Sequence, residues 1–129
     1  DEGKALSYEI EDSLSVAGDT PRLQQMIHIL LDNARKYSSA HGAIRVYLSK
    51  AEPKGLLLQV LSEGSPIPKE DLQKIFLRFY RRDESRSVHG SFGLGLSIAQ
   101  SIAHGHKGKI WADSNGKSSN SFYITLPLA

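Results

Sequence analysis

The stretch TPRLQQMIHILLDNARKY, residues 20–37, repeats apolar side chains at intervals of three and four residues. They are Leu23, Met26, Ile27, Leu30, Leu31, Ala34 and Tyr37. This spacing places them on one face of an α-helix, so we predict a helix over about residues 21–37 that packs on a core. Thr20 is the expected N-cap, because the following Pro21 is favoured in the first turn of a helix.

Strands are predicted on both sides of this helix, wherever apolar and polar residues alternate. They cover residues 6–10, 43–50, 56–61, 109–112 and 121–126, and residues 13–16 are expected to pair with the first of them. A short helix is predicted to begin at Lys69, and a longer one covers residues 94–103. Because strict alternation of strands and helices is missing, we expect a two-layer α/β sandwich with a mixed sheet.

The composition excludes several classes of function. With 129 residues the chain fits one domain, and its 16 Lys and Arg against 14 Asp and Glu are too few for a general nucleic-acid surface. The absence of cysteine excludes disulfides, thiolate metal sites and cysteine nucleophiles. No apolar run reaches the roughly 18 residues that span a bilayer. We expect a soluble domain cut from a longer, membrane-anchored protein.

Two patterns indicate chemistry. Glycines at positions 90, 93 and 95 lie where a basic loop meets an apolar helix, and the free N–H groups of such a helix start favour phosphate. A flexible loop leading into a helix explains the same glycines. On the long helix, Ile29, Asn33 and Lys36 share one shoulder, where an amide oxygen suits Mg²⁺ and an ammonium suits phosphate. An exposed helix edge is the alternative there.

A third pattern follows the strand at residues 56–61. The turn SEGSPIP, residues 62–68, leads into aromatic residues and the cations Arg78, Arg81 and Arg82. An amphipathic helix that leads into a solvated run of charges is the alternative explanation for these aromatic residues and arginines. Trp111 lies in a predicted strand and is expected in the core. His104 and His106 lack a third ligand, so we do not predict a metal site there.

In this order and spacing, the three patterns resemble the ATP-binding catalytic domain of sensor histidine kinases over nearly the whole chain. The pieces that carry the resemblance are LLDNARKY at residues 30–37, IFLRFYRRDESRS at 75–87, GSFGLGLSIA at 90–99 and FYITLP at 122–127. The fold that it implies is the Bergerat α/β sandwich of gyrase-type topoisomerases, heat-shock chaperones and mismatch-repair ATPases. That fold has a mixed, mostly antiparallel sheet of about five strands on three helices.

The resemblance also implies ATP and Mg²⁺ as ligands, with Asn33 as the metal ligand. Lys36 would touch phosphate, Tyr37 would line the pocket, and residues 82–92 would form a lid over the nucleotide. The other implied ATP-binding residues are Ser62, Gly64, Ile67, Arg81, Arg86, Gly93, Leu94, Gly95 and Leu96.

Three positions depart from the family pattern. Ile29 stands where ATP-hydrolysing members carry a glutamate base, which argues against a hydrolase. Ser62 stands where an aspartate normally accepts a hydrogen bond from the adenine amino group, and Pro66 replaces a glycine. Glu63 is not expected to substitute, because the next residue of a strand points to the opposite face.

We therefore expect one domain over residues 1–129 that transfers the γ-phosphoryl of Mg·ATP to a histidine on a separate dimerisation domain. None of the five histidines has the setting of that phosphoacceptor. Expected partners are the dimerisation domain and a response regulator, with no nucleic acid, in a membrane-anchored homodimer whose cytoplasmic part contains this chain. The rivals are a degenerate, non-catalytic interaction module and, on the same fold, an anti-sigma-factor serine kinase.

Overall fold

A computed structural model describes residues 5–10, 14–39, 42–51, 54–77 and 95–128 of the chain, with the backbone alone for residues 5–10. The strands are β1 (Ala5–Ile10), β2 (Ala43–Ala51), β3 (Gly55–Glu63), β4 (Lys109–Ser114) and β5 (Ser119–Pro127). The α-helices are α1 (Thr20–Tyr37) and α2 (Gly95–Gly105), and two 3-10 turns cover Lys69–Asp71 and Lys74–Phe76. The predicted short helix at Lys69 is thus a pair of 3-10 turns.

The five strands form one sheet in the order β1-β2-β3-β5-β4. β1 runs parallel to β2, and the other three pairs are antiparallel. The expected mixed, mostly antiparallel sheet is confirmed. The prediction that residues 13–16 pair with the first strand is wrong for the described residues 14–16, which lie outside the sheet, and β1 pairs with β2 instead.

Helix α1 covers the predicted stretch, but its cap is a different residue. Asp19 is the N-cap, because its carboxylate accepts the N–H of Arg22 at 3.3 Å, and Thr20 is already helical. A carboxylate suits this position because it also opposes the positive end of the helix dipole. At the other end, Ser38 N donates to the Ala34 carbonyl.

The core lies between the helices and one face of the sheet. Its buried apolar residues come from α1, α2, the second 3-10 turn and four strands, and they include Met26, Leu30, Ala34, Val60, Phe76, Ala99, Ile102, Phe122 and Ile124. This is the expected two-layer packing. Most of the predicted apolar face of α1 is confirmed, because Met26, Leu30 and Ala34 are buried and Leu23, Leu31 and Tyr37 pack against the core. The prediction is wrong for Ile27, which is 40% exposed on the side of the helix that faces away from the core.

The opposite face of the sheet is open. Trp111 is 40% exposed there and stacks on Tyr123 with ring centroids 5.2 Å apart, so its prediction as a core residue is wrong. In the described parts of the chain, no helix is both long and apolar enough to cross a membrane.

His106 joins the two α-helices. Its Nδ1 lies 2.8 Å from the Ile102 carbonyl oxygen, and its Nε2 accepts the N–H of Asp19 at 3.1 Å. Because Nε2 accepts, the Nδ1 atom carries the proton in the neutral ring. His106 therefore holds the start of α1 against the end of α2.

Candidate functional site: the ends of α1 and β3

The C-terminal half of α1 lies beside the first residue of α2. The Asn33 amide nitrogen donates a 2.9 Å hydrogen bond to the Ile29 carbonyl oxygen, one helical turn earlier. A Cβ atom built on Gly95 would lie 3.5 Å from Ile29 Cγ2 and 3.8 Å from Asn33 Nδ2. The structure thus brings Asn33 and Gly95 together. Because Nδ2 bonds to the helix, Oδ1 is the Asn33 atom that remains for a cation.

Lys36 lies one turn further along α1 and forms an ion pair. Its ammonium is 3.8 Å from Asp32 Oδ2, and the Arg35 guanidinium is 2.9 Å from Asp32 Oδ1. The side chains of Lys36 and Asp32 are 34% and 47% exposed, so solvent screens their attraction. The longer, weaker contact leaves Lys36 able to exchange its carboxylate partner for another anion.

The end of α1 touches the end of β3 through Gly64. A Cβ atom at this position would lie 2.3 Å from the Tyr37 carbonyl oxygen and 2.8 Å from Ser39 N. Only glycine permits this approach without moving the backbone. The Tyr37 ring packs at 6.0 Å from the Phe122 ring on β5, so Tyr37 lies between β5 and the residue 62–64 corner.

Ser62 is the buried polar residue of this corner. Its relative exposure is 0%, and its hydroxyl oxygen lacks a hydrogen-bond partner among the described residues. Buried hydroxyls are nearly always hydrogen-bonded, and leaving one unpaired costs about 1–3 kcal/mol. Such an atom on the inner face of the sheet is a ready partner for a polar ligand.

Glu63 points away from this corner, as the strand alternation predicts. It is exposed, and its carboxylate accepts the N–H of Ala43 at 3.0 Å on the neighbouring strand. The prediction that Glu63 does not replace the aspartate expected at position 62 is confirmed.

Asn120 is a residue that the sequence interpretation missed. It is fully buried on β5 and lies opposite Ser62 in the β3–β5 register. Its Oδ1 accepts the N–H of Ile67 at 2.8 Å, and its Nδ2 donates to the Ser65 carbonyl oxygen at 2.9 Å. A polar residue beside a turn rich in Ser and Asn reads as solvated, and only its alternation with Phe122 and Ile124 indicates the inner face.

The remaining predicted residues fall into two groups. Ile67 and Leu96 are 2% and 6% exposed, so both side chains belong to the core and their backbone atoms are what they offer a ligand. Arg81, Arg86, Gly93 and Leu94 lie outside the described residues, as does the whole predicted lid at residues 82–92.

The described residues fit Mg²⁺ and ATP on two observations. Asn33 offers an amide oxygen next to the start of α2, where backbone N–H groups suit anions. The Ser62 hydroxyl supplies a buried, unpaired group for the polar edge of a base. Within the described ranges, no cluster of three His, Cys, Asp or Glu residues holds a metal on its own, so phosphate oxygens would complete the metal shell.

Comparison with known proteins identifies the family. Residues 18–129 match the ATPase family described as histidine kinase-, DNA gyrase B- and HSP90-like. The chain belongs to this ATPase family. It is 36% identical over 124 residues to the adaptive-response sensory kinase SasA of Synechocystis, which covers 95% of this chain and 32% of SasA. It is 39% identical over 116 residues to the sensor histidine kinase WalK of Bacillus subtilis, covering 88% of this chain and 19% of WalK.

A solved structure agrees with the relatives. The histidine kinase ThkA, in complex with the response regulator protein TrrA, matches with a TM-score of 0.80 and 26% identity over 99% of this chain and 35% of that chain. This chain therefore corresponds to the catalytic ATPase domain of histidine kinases. It spans about a third or less of the length of the two curated relatives named above. This finding favours the histidine-kinase interpretation over both rivals.

Proposed function

We propose that residues 1–129 form a single domain that binds Mg·ATP and delivers its γ-phosphoryl group to a histidine on a separate dimerisation domain of the same protein. The observation that carries this proposal is the meeting of Asn33 with Gly95 at the start of α2. An amide oxygen is a ligand type that suits Mg²⁺ and a helix start suits an anion, so their proximity supports a site for Mg²⁺ and phosphates.

The chain's own residues would divide the work between base and phosphates. Asn33 Oδ1 would hold Mg²⁺, which when bound neutralises phosphate charge. Lys36 would leave its loose pair with Asp32 to meet a phosphate, and the Gly95 backbone would approach the same group. Tyr37 and Ser62 would face the nucleoside, while Gly64 keeps the two walls close.

Four more residues are proposed for the phosphates on the resemblance alone, because the structure does not describe them. They are Arg81, Arg86, Gly93 and Leu94. Ile67 and Leu96 would contribute packing and backbone, since their side chains are in the core.

Transfer in this site would depend on position and charge. Ile29 puts a hydrocarbon beside Asn33 and Gly95, where no side-chain base is available from that residue to activate water. The bond from the γ-phosphorus to the bridging oxygen would break, so that ADP leaves, while a bond forms to the unprotonated imidazole nitrogen of the acceptor. The other ring nitrogen of that imidazole would then release its proton to solvent. Phosphoryl transfer of this kind relies mainly on alignment and on neutralising the phosphate oxygens.

The partners we propose are the dimerisation domain of the parent protein and a response regulator that receives the phosphoryl group on an aspartate. ThkA, which was solved with its response regulator TrrA, supports the second of these. The parent would be a membrane-anchored homodimer with this domain in the cytoplasm.

Thermal unfolding with a non-hydrolysable ATP analogue and Mg²⁺ tests the binding step. A ligand at one hundred times its Kd stabilises the folded state by about 2.7 kcal/mol, which raises the Tm by several degrees. Asn33→Ala should lose most of the Mg²⁺-dependent part of this shift. Gln25→Ala is the matched control on the same helix, since it removes an exposed amide side chain while leaving Asn33 and the Lys36–Asp32 pair in place.

The binding proposal is wrong if millimolar analogue leaves the Tm of the wild type unchanged. It also fails in its assignment of the metal if Asn33→Ala and the wild type gain the same stabilisation from Mg²⁺.

A further inference from the structure

Asn120 is buried at a place where the sheet meets the turn after β3. On the inner face it lies opposite Ser62 of β3 on one side and Ser114 of β4 on the other. Its exposure is 0%, and a buried side-chain amide is stable only when its donor and acceptor find partners.

Both amide atoms bond to the backbone of one short segment. Oδ1 accepts the Ile67 N–H at 2.8 Å, and Nδ2 donates to the Ser65 carbonyl oxygen at 2.9 Å. Pro66 lies between these two residues, and as a proline it has no backbone N–H that could donate a hydrogen bond. One side chain, more than fifty positions away in the sequence, thus clamps residues 65–67 to β5.

The clamped segment is a wall of the proposed nucleoside pocket. It follows Ser62 and Gly64 directly, and the Gly64 N–H donates to the Ser118 carbonyl oxygen at 2.8 Å, just before β5 begins. The position of residues 64–67, which follow Ser62 along the chain, is therefore set by hydrogen bonds to Ser118 and Asn120. Asn120 itself is committed to the wall through both of its amide atoms.

We infer that Asn120 is a positioning residue for the nucleobase: by clamping residues 65–67, it decides which purine edge reaches the Ser62 hydroxyl. The inference rests on the proposed nucleotide site. A hydroxyl both donates and accepts, so Ser62 alone meets the amino group of adenine or the carbonyl of guanine. Preference for adenine then depends on how the wall fits the base, and loosening the wall should reduce that preference.

The test compares Kd values of the whole chain for the Mg²⁺ complexes of AMP-PNP and GMP-PNP by calorimetry. Asn120→Ala should weaken AMP-PNP binding by about tenfold, the order expected for two lost hydrogen bonds, and weaken GMP-PNP much less. The control is Gln59→Ala on the other face of the sheet. The Gln59 amide donates to Ser121 Oγ and Tyr123 OH, so its loss also removes hydrogen bonds but leaves the wall untouched. The ratio of the two Kd values should stay at the wild-type level in this control.

Amide hydrogen exchange of Ile67 reads the clamp without any nucleotide. Its N–H should be protected in the wild type and in Gln59→Ala, and exposed to exchange in Asn120→Ala. If the alanine variant does not fold, Asn120→Thr keeps one hydroxyl for the two backbone groups on a side chain that strands favour, and should lose part of the preference.

Each outcome decides the matter. A lower Tm with an unchanged ratio of Kd values means that Asn120 is merely structural and overturns the inference, as does an unprotected Ile67 amide or a wild type that prefers neither purine. In these cases the proposed function stands if AMP-PNP binds. A wild type that binds neither analogue overturns the proposed function and the inference together.

Discussion

In the proposed function, Ser62 is the residue on which base recognition would depend most. Its hydroxyl is buried and has no hydrogen-bond partner among the described residues, at the position where an aspartate is expected from the family pattern. A hydrogen bond to a charged acceptor is about twice as strong as one to a neutral group. At this position a serine would therefore form a weaker hydrogen bond to adenine than an aspartate would. Because its hydroxyl also donates, it would discriminate less between adenine and guanine.

Ser62→Asp should tighten AMP-PNP binding by about 1 kcal/mol, roughly a factor of five, and increase the preference for adenine over guanine. Without nucleotide the same variant should unfold more easily by about 2 kcal/mol, because its carboxylate is buried without a partner. Calorimetry measures the first effect, and urea unfolding measures the second. Ser15→Asp adds the same charge at an exposed position before α1, outside the residue 62–67 corner, and should show neither effect.

Loss of AMP-PNP binding in Ser62→Asp, with binding retained in Ser15→Asp, would show that the adenine pocket lies elsewhere.

At the element scale, the connection from α2 to β4 brings the backbone of Gly108 unusually close to the backbone of β5. The Gly108 N–H donates to the Ala103 carbonyl oxygen at 2.8 Å, and Lys107 takes a positive φ of 64° to make the turn. A Cβ atom on Gly108 would lie 2.1 Å from the Thr125 carbonyl oxygen of β5. The absence of a side chain there lets α2 return directly onto the sheet.

Gly108→Ala should lower the free energy of unfolding by about 1–3 kcal/mol, because the clash is with backbone that cannot rotate away. Gly105→Ala is the matched control, since a Cβ atom there meets nothing within 4 Å and lies at the end of α2. It should be neutral or stabilise the protein by up to about 1 kcal/mol, the helix propensity of alanine over glycine. Equal urea midpoints for the two variants would contradict the close approach at residue 108.

The elements also show what periodicity predicts and where it stops. Helix α1 was predictable because apolar residues recur every three or four positions, and six of the seven contact the core, whereas its cap required geometry that decides between Asp19 and Thr20. In β4, Ile110 and Trp111 are adjacent and both apolar, so the sequence does not say which faces the core. Ile110 does, and Trp111 stacks on Tyr123 outside.

At the scale of the whole molecule, the order of strands brings the base-binding part of the proposed site together at one end of the β3–β5 pair. Ser62 is the second-last residue of β3, Asn120 is the second residue of β5, and the two lie opposite each other in the register. The fold class was predictable from the strand and helix pattern, and the Ser62, Asn33 and Gly95 positions from the resemblance. The clamp by Asn120 was not, because a hydrogen bond across such a sequence separation leaves no local signal.

Phosphotransfer tests the molecule as a kinase. The dimerisation hairpin of the parent protein, supplied separately, should acquire label from γ-labelled ATP in the presence of this chain and Mg²⁺. Asn33→Ala should slow labelling by more than about tenfold, since metal and phosphate alignment carry this reaction. The chain alone should release little free phosphate, because Ile29 supplies no base.

A hairpin that stays unlabelled while AMP-PNP binds normally would point to a binding module in place of a kinase. Rapid release of phosphate without the hairpin would contradict the reading of Ile29. A hairpin whose acceptor histidine is replaced by glutamine is the blank for the labelling measurement, and ATP with Mg²⁺ but without this chain is the blank for phosphate release.

Because β5 is an interior strand of the sheet, it also determines when the proposed nucleotide pocket can form during synthesis. β5 follows all other described strands along the chain, yet it lies between β3 and β4. During synthesis, the edge of β3 stays unpaired until residues 118–127 have left the ribosome. Until then, residues 64–67 also lack their hydrogen bonds to the Ser118 carbonyl and the Asn120 amide. Pairings so distant in sequence form late and slowly. A chain that stops before β5 would lack part of the proposed nucleotide site, so nucleotide binding would not stabilise it. Its β3 edge would stay unpaired and available for pairing with other chains, which leads to aggregation.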